Sequence, residues 1–321
     1  MKYTMNHRIW LILCCLLSCL MAYSQDGTLQ DSLMSLRIMT YNIQHGAGMD
    51  DVVDLDRQAE VIRNAAPDVV GLQEVDSVVK RSGYIAEAAV LGEKLGMYAT
   101  FGPAIPLTKG KYGVAILSNE APMSVRNIPL PGKEKRTLLV CEFEEYVFAC
   151  THLDLEEENR IASLDIIIEE AARRDKPFFI CGDWNDTPSS TLIKTMKKSF
   201  TFISNISDNS ANYTFPANNP KSIIDYIASY GVGSNRVCKY IRNRRVLNEP
   251  KASDHRPVIA EIKMVRYSYI IDGISSPLED SASGESDEIY DLSGRRVQKA
   301  QNPRSTYVKG IYIVGGKKYS D

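Results

Sequence analysis

Phe178-Phe179-Ile180-Cys181-Gly182-Asp183-Trp184-Asn185-Asp186 is the stretch that decides the reading. Four apolar residues in a row, too few for a helix, describe a strand buried on both faces. The strand ends on a polar knot that supplies a carboxylate, an amide and a second carboxylate. In extended geometry Asp183 and Asn185, two apart, face the same side; an Asx-rich turn is the alternative reading.

Outward from this segment the same texture repeats. Leu36 to Ile43, Val69 to Leu72, Gly113 to Leu117, Thr137 to Phe143, Tyr146 to His152, Ile223 to Ala228 and Val258 to Ile262 are expected strands, and Glu144-Glu145 an expected hairpin tip. Leu55 to Ala65, Ile85 to Leu95 and Glu157 to Arg173 are expected helices. In the last, Ile161, Leu164, Ile167 and Ile168 recur at helical spacing. Strands alternating with helices predict a layered α/β (α+β) domain over Leu36 to Met264.

Polar residues recur where these strands end, which is where a layered sheet displays its loops. Asn42 ends the first run and Gln73-Glu74 the second. Thr151-His152-Leu153-Asp154 follows Tyr146 to Cys150. Asp225 stands in the apolar run at 223–228, and a buried carboxylate requires a partner. Ser253-Asp254-His255-Arg256-Pro257 supplies a histidine that a carboxylate can orient, beside a further carboxylate. Hard oxygen ligands of this kind suit Mg2+ or Mn2+. The chain shows no Cys/His spacing of zinc type, and only His45, His152 and His255 lie beyond the leader.

In order and character, Tyr41-Asn42-Ile43, Leu72-Gln73-Glu74-Val75, Tyr112-Gly113, Thr151-His152-Leu153, Gly182-Asp183-Trp184-Asn185 and Ser253-Asp254-His255-Arg256-Pro257 resemble the endonuclease/exonuclease/phosphatase superfamily. The resemblance implies a four-layered α/β sandwich of two packed mixed β-sheets flanked by helices, and metal-dependent hydrolysis of a phosphoester. Carried over residue by residue, it implies Glu74 as the main metal ligand with Asn42 and Asp254 nearby, and Asp183 orienting or deprotonating the attacking water. Asn185 would hydrogen-bond the phosphate or nucleophile, His255 paired with Asp225 would stabilise the pentacovalent state, and His152 would contact a phosphate oxygen. Arg81 and Tyr112 stand where family members often place phosphate-contacting groups, and solvated surface accounts equally well for Arg81. Val114 departs from the Asn that often follows the Tyr-Gly pair.

The 321 residues, 44% hydrophobic and 24% charged, have an ordinary globular composition. Lys2 and Arg8 precede an apolar run from Ile9 to Met21 closed by Ala22-Tyr23-Ser24, which reads as a signal peptide over residues 1–24. Leu16-Leu17-Ser18-Cys19 is the alternative, a lipoprotein box acylated on Cys19. Export to the periplasm, cell surface or medium is therefore expected. Residues 25–35 read as a linker, and so does the polar stretch 265–288. Residues 289–321 form a small C-terminal β appendage. Within it, Tyr290-Asp291-Leu292-Ser293-Gly294-Arg295-Arg296-Val297 and Gly310-Ile311-Tyr312-Ile313-Val314 resemble a type IX secretion sorting tail, implying contact with secretion machinery.

Losing Lys2 and Arg8 with the leader leaves 36 basic residues against 40 acidic, a net of about −4. That balance gives no global field for a stable nucleic-acid partner. One local basic run, Arg236, Lys239, Arg242, Arg244 and Arg245, either faces an anionic substrate or is a solvated strand face. Cys141, Cys150, Cys181 and Cys238 read as buried thiols, with a Cys141 to Cys150 bridge as the alternative. No segment argues for a dimer, so a monomer is expected. The expected substrate is a small or lipid-borne phosphodiester or phosphomonoester. A nonspecific secreted nuclease is the second reading and an inactive binding module the third, although no site residue is missing.

Overall fold

The computed structural model describes residues 33–231, 240–268, 288–290, 296–299, 311–314 and 317–320. The leader, Arg236, Lys239 and Cys238 lie outside these residues. The chain divides into two compact units, Met1–Asp272 and Gly273–Asp321. Among the described residues no helix is long and apolar enough to cross a membrane.

Twelve strands of the larger unit form two mixed six-stranded sheets. The first contains β1 (Leu33–Asn42), β2 (Val69–Ser77), β3 (Tyr98–Leu107), β4 (Gly110–Ser118), β11 (Tyr240–Val246) and β12 (Val258–Val265), in the order β11-β12-β1-β2-β4-β3. The second contains β5 (Ser124–Leu130), β6 (Arg136–Glu142), β7 (Val147–His152), β8 (Phe178–Asp183), β9 (Phe200–Phe202) and β10 (Asp225–Tyr230), in the order β5-β6-β7-β8-β10-β9. Each sheet has one parallel pair at its centre, β1 with β2 and β7 with β8, and is antiparallel elsewhere. The smaller unit is a four-stranded antiparallel sheet of β13 (Glu288–Tyr290), β14 (Arg296–Lys299), β15 (Ile311–Val314) and β16 (Lys317–Ser320), ordered β14-β13-β15-β16.

Strand alternation sorts the apolar residues into three cores. Ile38, Val69, Ile116, Leu139, Phe148 and Phe179 pack between the sheets. The opposite faces, through Met39, Val70 and Leu117, meet α1 (Leu55–Ala65) and α2 (Glu87–Leu95). Leu138, Val147 and Ile180 meet α3 (Glu157–Ala172) and α4 (Thr191–Met196). The result is the expected four-layered sandwich, and it explains why the inner strands read as unbroken apolar runs. The Asp54 side chain caps α1 by accepting the Asp56 N–H, and Ala66 closes the helix in the left-handed region.

Departures from the expected elements have local causes. Isolated pairing of Ser77 with Ala86 keeps Ile85 and Ala86 extended, so α2 begins at Glu87. β2 continues past Leu72 to Ser77 through a bulge, and the strand expected at 223–228 begins at Asp225. The thiols Cys141, Cys150 and Cys181 are buried and free. No Cys141 to Cys150 bridge forms, because Cys150 lies opposite Leu139 and Cys141 opposite Phe148 across the hairpin.

Cys150 and Cys181 stand side by side on the parallel pair and approach Gly71 of the other sheet. A Cβ at Gly71 would meet Cys181 Sγ at 2.3 Å and Cys150 Sγ at 2.9 Å. Gly71→Ala is therefore expected to destabilise the fold by about 1–3 kcal/mol through overpacking. Denaturant unfolding at the wild-type midpoint or above would contradict this account of the sheet interface.

Candidate active site

The two central parallel pairs deliver their carboxyl ends to one rim, the position at which open α/β sheets present ligand-binding groups. Asn42 ends β1, His152 ends β7 and Asp183 ends β8. Asp225 opens β10 directly opposite Asp183, and His255 precedes β12 by a short loop. Glu74 sits in the β2 bulge between Leu72 and Val75, with a positive φ of 57°. A bulge re-aims one side chain without ending the sheet, and such backbone is uncommon for a residue other than glycine.

Asp183 Oδ2 is the centre of the cluster. It accepts a hydrogen bond from Asn42 Nδ2 at 3.1 Å, and lies 3.5 Å from His152 Nε2 and 3.6 Å from His255 Nε2. Asp183 Oδ1 accepts the Asn185 N–H at 3.0 Å. That bond closes an Asx-turn, with Asn185 at φ 49°. The extended alignment of Asp183 and Asn185 is therefore replaced by the turn, which swings the Asn185 amide toward β7. There its Nδ2 donates to Leu153 O and meets His152 Nε2, both at 2.9 Å.

His255 Nδ1 lies 3.0 Å from Asp225 Oδ2. Burial alone would lower its pKa, but the adjoining Asp225 and Asp183 carboxylates prevail and raise it to about 10. His152 goes the other way. Burial, reinforced by the charges of Arg136 and His255, drives its pKa well below the ordinary histidine value. The site thus holds one imidazolium and one neutral imidazole. Asp183, with only 2% exposure, is raised well above the usual carboxylate range by burial; His255 opposes this and Asp225 adds to it.

On the other flank, burial raises the Glu74 pKa, the Asn42 hydrogen bond offsets part of the rise, and the Asp254 charge adds to it. Two carboxylates at this rim, the Asp254 charge adding to the cost of ionising Glu74, are a donor set that fits a hard divalent cation. The buried trio Asp183, Asp225 and His255 also brings ligand-type atoms within 4.8 Å of one another. A His255 held as the imidazolium has no lone pair to give, so the Glu74–Asp254 side is the better fit. Asn42 turns its nitrogen to Glu74 Oε1 at 3.0 Å and to Asp183, while its oxygen accepts the Gln44 N–H at 3.0 Å. In this arrangement Asn42 ties the two carboxylates together, and its oxygen keeps a second lone pair beyond the Gln44 N–H.

Arg81 donates from Nε and Nη2 to the buried Asp76 carboxylate at 2.8 and 2.9 Å, and its guanidinium lies 5.4 Å over the Tyr112 ring. Arg81 is thus anchored rather than loosely solvated. Arg136 escaped the sequence reading, and Ser253 stood in its motif without a role. Arg136, at the first position of β6 and buried, pairs with Glu134 at 3.0 Å; its Nε has no hydrogen-bond partner, and its charge reaches His152, Tyr112 and Glu74. An arginine closing the charged run Lys133-Glu134-Lys135-Arg136, one position before the expected start at Thr137, was the available signal. Ser253 Oγ donates to Asn42 O at 2.7 Å and accepts the His255 N–H at 3.3 Å, fastening the histidine loop to β1.

A buried carboxylate flanked by two imidazoles of opposite charge state, beside an acidic rim, on two packed mixed sheets, defines a hydrolytic α/β sandwich. The sequence profile of the Endonuclease/Exonuclease/phosphatase family matches residues 39–255, and the chain belongs to that family, whose members are hydrolases acting on phosphoester bonds. Among solved structures it is similar to an endonuclease/exonuclease/phosphatase from Beutenbergia cavernae, at 25% identity and a TM-score of 0.60, with 72% of each chain covered. The corresponding protein from Bacteroides vulgatus has 20% identity and a TM-score of 0.58, over 71% of this chain and 98% of that one. A mannosyl-6-phosphatase from Bacteroides thetaiotaomicron shares the fold at 17% identity and a TM-score of 0.53, over 71% of this chain and 99% of that one. Comparison with curated protein sequences gave no match.

The His255–Asp225 pair makes a pH prediction. Its folded-state pKa exceeds the ordinary 6.5, so the stability it contributes is complete below pH 6.5 and is lost as pH rises through about 10. Asp225→Asn should flatten that loss and bring the His255 titration, followed by NMR, down toward 6.5. A titration unmoved by the substitution would contradict the pairing.

Proposed function

We propose that this chain is an exported, divalent-metal-dependent hydrolase of a small or lipid-borne phosphoester, acting by in-line attack of an activated water. The observation that carries the reading is the convergence of Asn42, His152 and His255 on a single buried oxygen, Asp183 Oδ2. A carboxylate whose pKa is raised by burial is a competent acceptor for the proton of an attacking water. As the new P–O bond forms and the ester P–O bond breaks, that proton passes to Asp183, and the departing alkoxide takes a proton from solvent to leave as the alcohol.

His255, kept cationic by Asp225, would neutralise charge on the phosphoryl oxygens. Neutral His152, whose Nε2 accepts from Asn185 Nδ2 here, would lie against one of them and give it a hydrogen bond only in the tautomer protonated on Nε2. Arg136, a buried cation between Glu134 and Asp154, would add positive charge near the phosphoryl group, and Tyr112 and Arg81 border the same side. Magnesium or manganese held by Glu74 and Asp254 would supply Lewis-acid charge to the phosphoryl group.

The basic run on β11 gives little support to the nuclease reading. Arg242 lies 3.7 Å from Glu261, and Arg244 donates to Ile203 O. Two of its cations therefore already have partners within the fold.

The test is turnover by the chain from Gln25 to Asp321 of p-nitrophenyl phosphate, bis-p-nitrophenyl phosphate, sugar and inositol phosphates, sphingomyelin and plasmid DNA. Each would be assayed with magnesium, manganese or chelator. Turnover should require metal, and Asp183→Ala and His255→Ala should each lower kcat/KM by about 10²–10⁴-fold with the fold intact. Undiminished turnover in either variant, or in chelator, would overturn the mechanism.

A further inference from the structure

The segment between β9 and β10 is joined backbone to backbone with the loop that carries His255. Arg256 N–H donates to Thr214 O at 2.8 Å and Ala217 N–H donates to Asp254 O at 2.7 Å, so the two bonds fall on either side of His255. The Arg256 side chain adds a third, from Nε to Ala217 O at 2.7 Å. The same segment is tied to the stretch that enters β10. Thr214 N–H donates to Ser222 O at 2.8 Å, Phe215 pairs with Ser222 in an isolated bridge, and Oγ1 of the buried Thr214 accepts the Ile224 N–H at 3.2 Å. Ile224 directly precedes Asp225, so residues 214–217 clasp both members of the His255–Asp225 pair.

Inside this clasp lies Phe215. Its ring centroid is 4.8 Å from that of His255, with the two planes tilted by 44°. Aromatic pairs attract at that separation. Phe215 is only partly buried, whereas His255 is buried. A large apolar ring left partly exposed gives up burial that a core position would provide, and the ring it meets accounts for its place.

His255 lacks other restraint on its tilt. Rotation about the Cβ–Cγ bond of a histidine is a broad torsion, held by whatever the ring touches. Nδ1 is fastened to Asp225 Oδ2 at 3.0 Å. Nε2 stands 3.6 Å from Asp183 Oδ2, beyond hydrogen-bond length, which leaves the edge nearest the reacting group unfastened. A ring bonded at one nitrogen can still tilt about that bond, and any tilt redirects Nε2. A second ring packed against the imidazole opposes that motion.

We propose that Phe215 is a positioning residue, holding the His255 imidazole in the plane from which Nε2 addresses the phosphoryl oxygens. The proposal rests on the phosphoester hydrolase reading above and adds a residue to its site.

The test measures kcat and KM of the magnesium-loaded chain, Gln25 to Asp321, on whichever ester of the panel above the wild type hydrolyses. Phe215→Ala removes the ring. Phe215→Leu keeps apolar volume without a planar ring and serves should the alanine variant fail to fold; Phe215→Tyr restores the ring. Alanine and leucine should each lower kcat by about tenfold to a hundredfold, the loss expected from a slightly misplaced group, with KM within about twofold. Tyrosine should keep kcat within about threefold of wild type. In a His255→Ala background Phe215→Ala should cost no further kcat, because a residue that acts through another loses its effect once that other is gone. Unchanged kcat, a rise in KM alone, no rescue by tyrosine, or an equal loss in both backgrounds would overturn the positioning role and leave the hydrolase reading standing. No turnover of the panel by the folded wild type would overturn both.

Discussion

One hydrogen bond, from Asn42 Nδ2 to Asp183 Oδ2, joins the carboxyl end of one sheet's central strand to that of the other. It lies in the interior, where an ionised carboxylate is tolerated only with partners. Four acids, Glu74, Asp183, Asp225 and Asp254, meet at this rim around His255. The fold answers their repulsion with fixed donors: the Asn185 backbone N–H, the Asn42 amide and the His255 imidazolium. Ser253 and Gln58 then hold the histidine loop against β1 and α1. The geometry of the site and the packing of the two sheets are therefore one problem, since displacing either sheet would strand a buried charge.

The same arrangement explains why several of the clustered groups stand on strand ends. β7 and β8 are buried along their whole length, and each ends on a site residue. Packing fixes the strand and thereby the direction of its terminal side chain, so His152 and Asp183 are held in place by the fold itself. Glu74 lies inside β2 instead of at its end, and the bulge turns its carboxylate toward the rim.

What was legible in the sequence follows from burial. The inner strands read as apolar runs because both faces are covered. The strands that escaped notice, β3, β5 and β9, are three of the four edges of the two sheets, and the fourth, β11, was anticipated only as a solvated strand face at its basic run. β3 carries Gly102, Pro103 and Pro106, and β5 is exposed along most of its length. Edge strands keep polar residues and prolines to resist further pairing, so the signal that finds an inner strand is the one an edge suppresses. The site was legible through acids and histidines placed beside apolar runs. Arg136 was not, because a strand-opening arginine looks like ordinary surface until the fold buries it, and Ser253 stood in its motif with no role until the fold showed its hydrogen bonds. The Asx-turn at Asn185 was foreseen only as the alternative to extended geometry.

The two imidazoles carry the last step. His152 and His255 both lie within 3.6 Å of Asp183 Oδ2, yet their environments push them to opposite charge states. The difference lies in what stands behind each ring. Asp225 backs His255, so a second carboxylate outweighs the cost of burying a cation. Behind His152 no carboxylate is bonded to Nδ1, and Arg136 adds like charge. Were both cationic, two positive rings would compete for one carboxylate in a buried setting; were both neutral, four acids would lack their counter-charge. Dividing the roles leaves Asp183 a single cationic partner, enough to help hold it ionised without removing its capacity to accept a proton.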